Sequence, residues 1–251
     1  MKDYIAELNV AISAVKAAGD FLSSQVDLQI DSQEGKDLKL AADRQSESIL
    51  IEKLGNTGIP ILSEEKGFQG EEHPEGYKWI VDPIDGTVNY YRRLEGLSCV
   101  SVALWKGNQP VLGVINRFEQ NELYAGIVGN GATLNGVSIK TSGITQVSQG
   151  IIATGFPVGR DYSSESLQHF ITNVQRFKKV RMLGTAALMG VFVASGQVDA
   201  YMEESIMIWD IAASAAIVLA AGGVFNYIPQ EGGRCICQLF ATKELSEAYN
   251  A

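Results

Sequence analysis

Residues 79–89 read WIVDPIDGTVN, and the rest of the chain is organised around them. Trp79, Ile80 and Val81 form an apolar run that predicts a buried strand. Asp82 and Asp85 then flank Pro83 and Ile84, and Gly86 and Thr87 close the stretch. Pro83 fixes one backbone angle of the expected turn, and Gly86 supplies a residue that takes left-handed angles. Two carboxylates thus leave one tight turn side by side. Unit charges about 4 Å apart repel by roughly 4 kcal/mol at an effective dielectric near 20, so such a turn calls for protons or a cation. Oxygen donors suit Mg²⁺ or Ca²⁺. By itself Asp-x-x-Asp-Gly also describes an ordinary turn in which Asp85 caps the segment that follows.

Working upstream, GIPILSEEKG (residues 58–67) ends a short apolar run in Ser63, Glu64 and Glu65. This reads as a second strand, whose carboxylates would leave at the same end as Asp82; a solvated strand end has the same pattern. Residues 35–54 break at Gly35 and resume helical spacing from about Ala42, with Ile49, Leu50 and Leu54 on one side. Lys36, Asp37 and Asp43 sit around the start of that helix, where Asp43 also suits a cap or first-turn acid. The first helix, from Asp3 to about Ser24, places Ile5, Leu8, Ile12, Val15 and Leu22 on one face and reads as packing. Residues 66–78 are polar and rich in glycine and acids, which predicts a mobile loop with His73 exposed.

Downstream, LSCVSVALW, PVLGVINR and ELYAGIVG, followed by an Asn135-Gly136 hairpin turn, predict an antiparallel meander. Beyond Gly150 strands and helices alternate. The strands are GIIATGF, VRML, VDAYM and VFNYI; the helices run Glu165 to Phe177, Thr185 to Ser195 and Asp210 to Ala221. The chain therefore divides into an α+β half, residues 1–140, and an α/β half, residues 141–251.

A chain of 251 residues, 46% hydrophobic and 20% charged, suits one large domain or two small ones that share a core. No apolar run approaches the 18 or so residues of a membrane span, and the N-terminus has no signal or transit character, which predicts a cytoplasmic protein. A net charge of −9 argues against a nucleic-acid surface. Cys99, Cys235 and Cys237 are odd in number and read as reduced thiols.

The central stretch resembles the DPIDGT signature of the inositol monophosphatase family of Mg²⁺-dependent phosphatases. Trp209-Asp210, leading into the Ala-rich run that ends at Gly222-Gly223, resembles that family's second signature, and the two come in the family's order. Asp37 and Asp43 match a D-x-x-T-x-x-D spacing in which Leu40 replaces the threonine, and Met207 stands where some members have a histidine. The resemblance implies a layered α-β-α-β-α sandwich of the inositol monophosphatase and fructose-1,6-bisphosphatase type, with the metal site between its halves. It also implies Mg²⁺-dependent hydrolysis of a polyol phosphate monoester, with two or three ions per subunit. Glu64, Asp82 and the Ile84 carbonyl would hold one ion, Asp82, Asp85 and Asp210 a second, and a third would sit near Glu64. Asp43, Glu64 and Thr87 become the catalytic set, with Asp43 and Thr87 orienting and deprotonating the attacking water. Gly86 and Thr87 amides would hold phosphate oxygens, and Asp85 and Asp210 also border the substrate. Gly184, Thr185 and Ala186 would contact the alcohol, while Glu203 would bind its hydroxyls.

A homodimer and inhibition by Li⁺ follow from the resemblance alone. Related enzymes with this metal site act on bisphosphorylated nucleosides, fructose bisphosphate or histidinol phosphate. Val88-Asn89-Tyr90 after the turn, in place of the nucleotidases' lysine and acid, favours an inositol-like or sugar substrate. A non-catalytic metal-binding relative is the reading from a different class.

Overall fold

Helices α1 (Ile5–Ser23) and α2 (Ala41–Gly55) pack together on one face of an eight-stranded sheet, joined by a ribbon of β1 (Ile30–Glu34) and β2 (Asp37–Leu40). The computed structural model describes residues 3–34, 37–71 and 73–251, so Lys36 and the break expected at Gly35 lie outside the described residues. The strands of this sheet are β3 (Ile61–Ser63), β4 (Gly67–Gln69), β5 (Tyr77–Asp85), β6 (Cys99–Lys106), β7 (Gln109–Arg117), β8 (Glu122–Ile127), β9 (Gly131–Leu134) and β10 (Val137–Ile139). Their order is β10-β9-β8-β7-β6-β5-β3-β4. From β5 to β10 it is the meander that the alternating pattern predicts. The segment after Lys66 departs from the expected mobile loop, because β4 pairs antiparallel with β3. An edge strand of half-buried residues draws its stability from main-chain pairing, which polar composition does not reveal.

The second sheet contains β11 (Ile151–Thr154), β12 (Lys179–Arg181), β13 (Ala200–Met207), β14 (Val224–Pro229) and β15 (Arg234–Phe240), in the order β12-β11-β13-β15-β14. β11 runs parallel to β12 and β13, as alternating strands and helices require. β15 runs antiparallel to both β13 and β14 and has no counterpart in the sequence reading, nor does the terminal helix α7 (Lys243–Asn250).

Between the sheets lie α5 (Ala186–Ala194) and α6 (Ile208–Ala220). Every residue of α5 is buried, and α6 buries Ile211, Ala212, Ala213, Ala215 and Ala216. A helix apolar all round has to be covered on both sides, and small side chains let α6 lie close to both sheets. The indole of Trp105 fastens it to the first sheet by donating to the Ala212 carbonyl at 3.1 Å. Outside, α1 covers the first sheet with Ala11, Ala14, Val15, Ala18 and Leu22, while α4 (Ser164–Val174) and α7 cover the second with Phe170, Val174 and Leu245. The result is the layered α-β-α-β-α sandwich. Among the described residues no helix is long and apolar enough to cross a membrane.

Candidate metal centre

Asp82 and Asp85 both belong to β5, and the expected tight turn is a β-bulge within that strand. Asp82 pairs with Ser101 and Asp85 with Cys99, so three steps on β5 oppose two on β6. In a regular strand, residues three apart face opposite sides; the extra residue brings both carboxylates to one side. Asp82 Oδ1 accepts the Ile84 N–H at 3.0 Å, which fixes the bulge. Gly86 then turns the chain at φ 83°, and a Cβ there would meet the Leu97 carbonyl oxygen at 2.6 Å. No L-residue fits both demands.

Asp210 arrives from the second half of the chain, as the third residue of α6, which starts two residues earlier than its sequence suggests. Its Oδ2 accepts the Met207 N–H at 3.2 Å, folding the carboxylate back over the helix start. One ligand oxygen each from Asp82, Asp85 and Asp210 lies within 4.8 Å of the others. Glu64 directly follows β3, whose Ser63 pairs with Val81, and so emerges beside Asp82. It stands outside the tight triad yet feels it, since Asp210 is the first of the charges that push its pKa up after burial itself.

Burial and mutual repulsion raise this whole set. Asp82, buried, is held well above the ordinary carboxylate range by desolvation and then by Glu64, Asp85 and Asp210. Asp210 is raised by desolvation, then by Asp85 and Glu203. Asp85 rises only to about 6, because Thr185 and the N–H groups of Ala187 and Ala186 oppose its desolvation. Those amides donate to Asp85 at 2.8 and 3.2 Å, and the Thr185 hydroxyl donates to it too, so Asp85 caps α5 from a distant strand. Thr185, expected to face the alcohol, thus spends its hydroxyl on Asp85.

Among the described residues no lysine or arginine forms a salt bridge with Glu64, Asp82, Asp85 or Asp210. Buried carboxylates this close without a cationic partner fit a hard divalent cation bound through oxygen.

Asp43 is the third residue of α2, buried, and its Oδ2 accepts the Leu40 N–H at 2.6 Å. Burial pushes its pKa up to about 7. The Thr87 hydroxyl, at the start of α3 (Thr87–Tyr91), lies 2.9 Å from the Ile84 carbonyl oxygen and 3.5 Å from Asp43 Oδ1. Leu40, in place of the family's threonine, is fully buried in the core beneath α1 and α2.

Across a cleft of about 580 Å³, lined also by Gly184, Thr185 and Ala186, stands Glu203. A second bulge presents it: Glu203 pairs with Cys237 and Ile206 with Cys235, and Ser205 takes φ 61° between them. Glu203 is buried, and desolvation followed by the charge of Asp85 raises its pKa to about 8. A Cβ on Gly155 would meet Glu203 Oε1, so any other residue at 155 would make the Glu203 carboxylate shift.

Other residues of the site escaped the sequence reading. The Asn89 amide group, reaching Leu97 O at 2.9 Å and Leu183 O at 2.7 Å, ties α3 to the segment that precedes α5. Arg234 on β15 lines the cleft and donates to the Ser205 carbonyl at 2.8 Å. Lys39 pairs with Glu65 at 2.8 Å beside Glu64. Only the strand context of Arg234 could have flagged it, and that strand was not recognised.

Comparison with known proteins agrees with this geometry. The sequence profile of the inositol monophosphatase family matches residues 5–248. The chain is 34% identical over 235 residues to an inositol-1-monophosphatase of Mesorhizobium japonicum, covering 90% of this chain and 86% of the relative. It is 31% identical over 223 residues to a protein of Xylella fastidiosa named Nus factor SuhB, covering 86% and 80%. The solved inositol monophosphatase of Anabaena (Nostoc) superimposes with a TM-score of 0.84 at 30% identity, covering 98% of this chain and 94% of that one. With a triad of aspartates drawn from two separate signatures and a match across nearly its full length, the chain belongs to the inositol monophosphatase family.

Proposed function

We propose that the protein is a Mg²⁺-dependent phosphoric monoester hydrolase acting on a phosphorylated polyol, inositol monophosphate or a related sugar phosphate, as a homodimer. The observation that carries this reading is the triad of Asp82, Asp85 and Asp210, whose ligand oxygens lie within 4.8 Å of one another beside a cleft that also holds Glu203. Glu64, Asp82, the Ile84 carbonyl, Asp85 and Asp210 would hold the Mg²⁺, which would supply charge to neutralise the phosphate and lower the pKa of water so that it gives up a proton to become the hydroxide nucleophile.

The chain's own groups do the rest. Asp43, with a pKa near 7, is poised to take a proton close to neutrality. Thr87 has one hydroxyl proton for two acceptors, the Ile84 carbonyl and Asp43. When the proton points to Asp43, the hydroxyl lone pairs are left to orient a water, and the pair works as a relay. The N–H groups at Gly86 and Thr87 open α3, where first-turn donors have no intrahelical partner, and face phosphate oxygens in this reading. Glu203, on the leaving-group side, accepts hydrogen bonds from the alcohol's hydroxyls, beside Gly184 and Ala186.

Phosphate release from a panel of inositol, sugar, nucleoside and histidinol phosphates, with and without Mg²⁺, tests the reading. Mg²⁺-dependent release from a polyol phosphate is expected. Binding of Mg²⁺ with no release from any ester would leave the non-catalytic, metal-binding reading in its place.

A further inference from the structure

One turn of α2 reaches both segments that carry the carboxylates. Glu47, fully buried, accepts the N–H groups of Glu65 at 3.2 Å and Lys66 at 3.0 Å with the same oxygen, Oε1. The neighbouring Ser46, also fully buried, donates its hydroxyl to the Pro83 carbonyl at 2.9 Å, inside the β5 bulge. Among the described residues Glu47 Oε2, which is buried, has no hydrogen-bond partner, and the half-exposed Lys66 Nζ stands 3.6 Å from it.

A buried carboxylate with one oxygen that accepts no hydrogen bond and has only a half-exposed ammonium group near it is a costly way to brace a fold. Its return is two charge-assisted bonds to consecutive amides, which fix the direction of the chain right after Glu64. Sheet pairing leaves the offset between the strand ends open: β3 and β4 close the turn around Glu64 at Ser63 and Gly67, but the β3–β5 ladder ends at Ser63 and Val81, one residue short of Glu64 and Asp82. Beyond it, the offset between the two strand ends is set by adjacent residues of one rigid helix. Glu64 is also the one proposed carboxylate ligand that stands outside the aspartate triad, so its placement depends on that offset most.

We propose that Glu47 and Ser46 are positioning residues that set Glu64 against the Asp82, Asp85 and Asp210 triad, so that the ion site completed by Glu64 exists only while α2 grips both segments. This rests on the reading of Glu64 as a metal ligand.

The test is a Mn²⁺ titration of the full chain, read by the electron paramagnetic resonance of the free ion, on the wild type, Glu47→Ala, Glu47→Gln, Ser46→Ala and Glu64→Gln, with metal-free melting curves alongside. The wild type is expected to show two classes of site, one of which Glu64→Gln removes. Glu47→Ala should weaken that same class by about tenfold or more, as loss of a group behind a ligand does, and leave the aspartate class within about twofold. Glu47→Gln keeps an acceptor oxygen and should restore most of the affinity. If Glu47→Ala does not fold, Ser46→Ala carries the test, since it removes one hydroxyl and strands no charge; it should weaken the Glu64 class selectively. A lower melting temperature with both Mn²⁺ classes unchanged would overturn the proposal, and so would equal weakening of both. A wild type that binds no Mn²⁺ at all would instead sink the metal-dependent phosphatase reading.

Discussion

The Thr87 hydroxyl stands 3.5 Å from Oδ1 of Asp43, a residue 44 positions earlier in the chain, and neither side chain belongs to the aspartate triad. Such a pair can handle a proton without holding an ion. Asp43→Asn, which keeps the size and one acceptor oxygen but cannot take the proton, should lower turnover by about 10² to 10⁴ and leave Mg²⁺ affinity nearly unchanged. Calorimetry decides: affinity collapsing in step with kcat would make Asp43 a ligand.

Asp82 lies among the carboxylates, its pKa raised first by burial and then by Glu64, Asp85 and Asp210. Asp82→Asn removes a charge from the place where the others converge and should abolish hydrolysis of every phosphate ester tried. A fully active Asp82→Asn is incompatible with the proposed function.

Glu203 borders the cleft from the second sheet and, among the described residues, belongs to no metal cluster. Its loss should therefore depend on the substrate. Assayed above pH 8, where its carboxylate is ionised, Glu203→Ala should weaken kcat/KM for a polyhydroxylated phosphate by about 1.5 to 3 kcal/mol, the range for a hydrogen bond to a charged group, and spare an aryl phosphate. Equal losses on both esters would remove the specificity role.

Asp85, Asp43 and Glu203 have pKa values of about 6, 7 and 8 in the metal-free fold, each raised first by burial, against about 4 for unfolded carboxylates. Each binds its proton more tightly folded than unfolded. The stability they contribute is full below about pH 4 and is lost as the pH climbs through their folded values, from about 6 to about 8. Mg²⁺ would bind Asp85 in its ionised form, and its charge would favour the ionised forms of Asp43 and Glu203 without their being ligands, so it should return stability at the alkaline end. Melting curves in EDTA should fall between about pH 5 and pH 8, and the increment on adding Mg²⁺ should be larger near pH 8. An increment independent of pH would show that these groups do not couple to the ion.

The homodimer and Li⁺ sensitivity rest on family membership. Sedimentation velocity at micromolar concentration should give twice the chain mass, and tens of millimolar Li⁺ should inhibit at subsaturating Mg²⁺. A monomer, or unchanged activity in Li⁺, removes the corresponding statement.

By itself the sequence determined the parts whose signal is local: the apolar period of α1, the meander with its Asn135-Gly136 turn, the small-residue run of α6, and the two carboxylate-bearing signatures. Each is written in adjacent residues, where spacing alone selects a strand, a helix or a turn. Tertiary structure decided what depends on pairing and packing across the chain. The Pro83-Ile84 bulge, and the like bulge after Glu203, exist only in the register with a partner strand, so DPID read as a turn. The pairing of β4 was hidden by polar composition, and β15 went unread in a stretch that mixes arginine with cysteines. The grip of Ser46 and Glu47 on two distant segments, and the hold of Thr185 on Asp85, leave no mark in local spacing, because a hydrogen bond between residues far apart in sequence is specified only once the layers between them have packed.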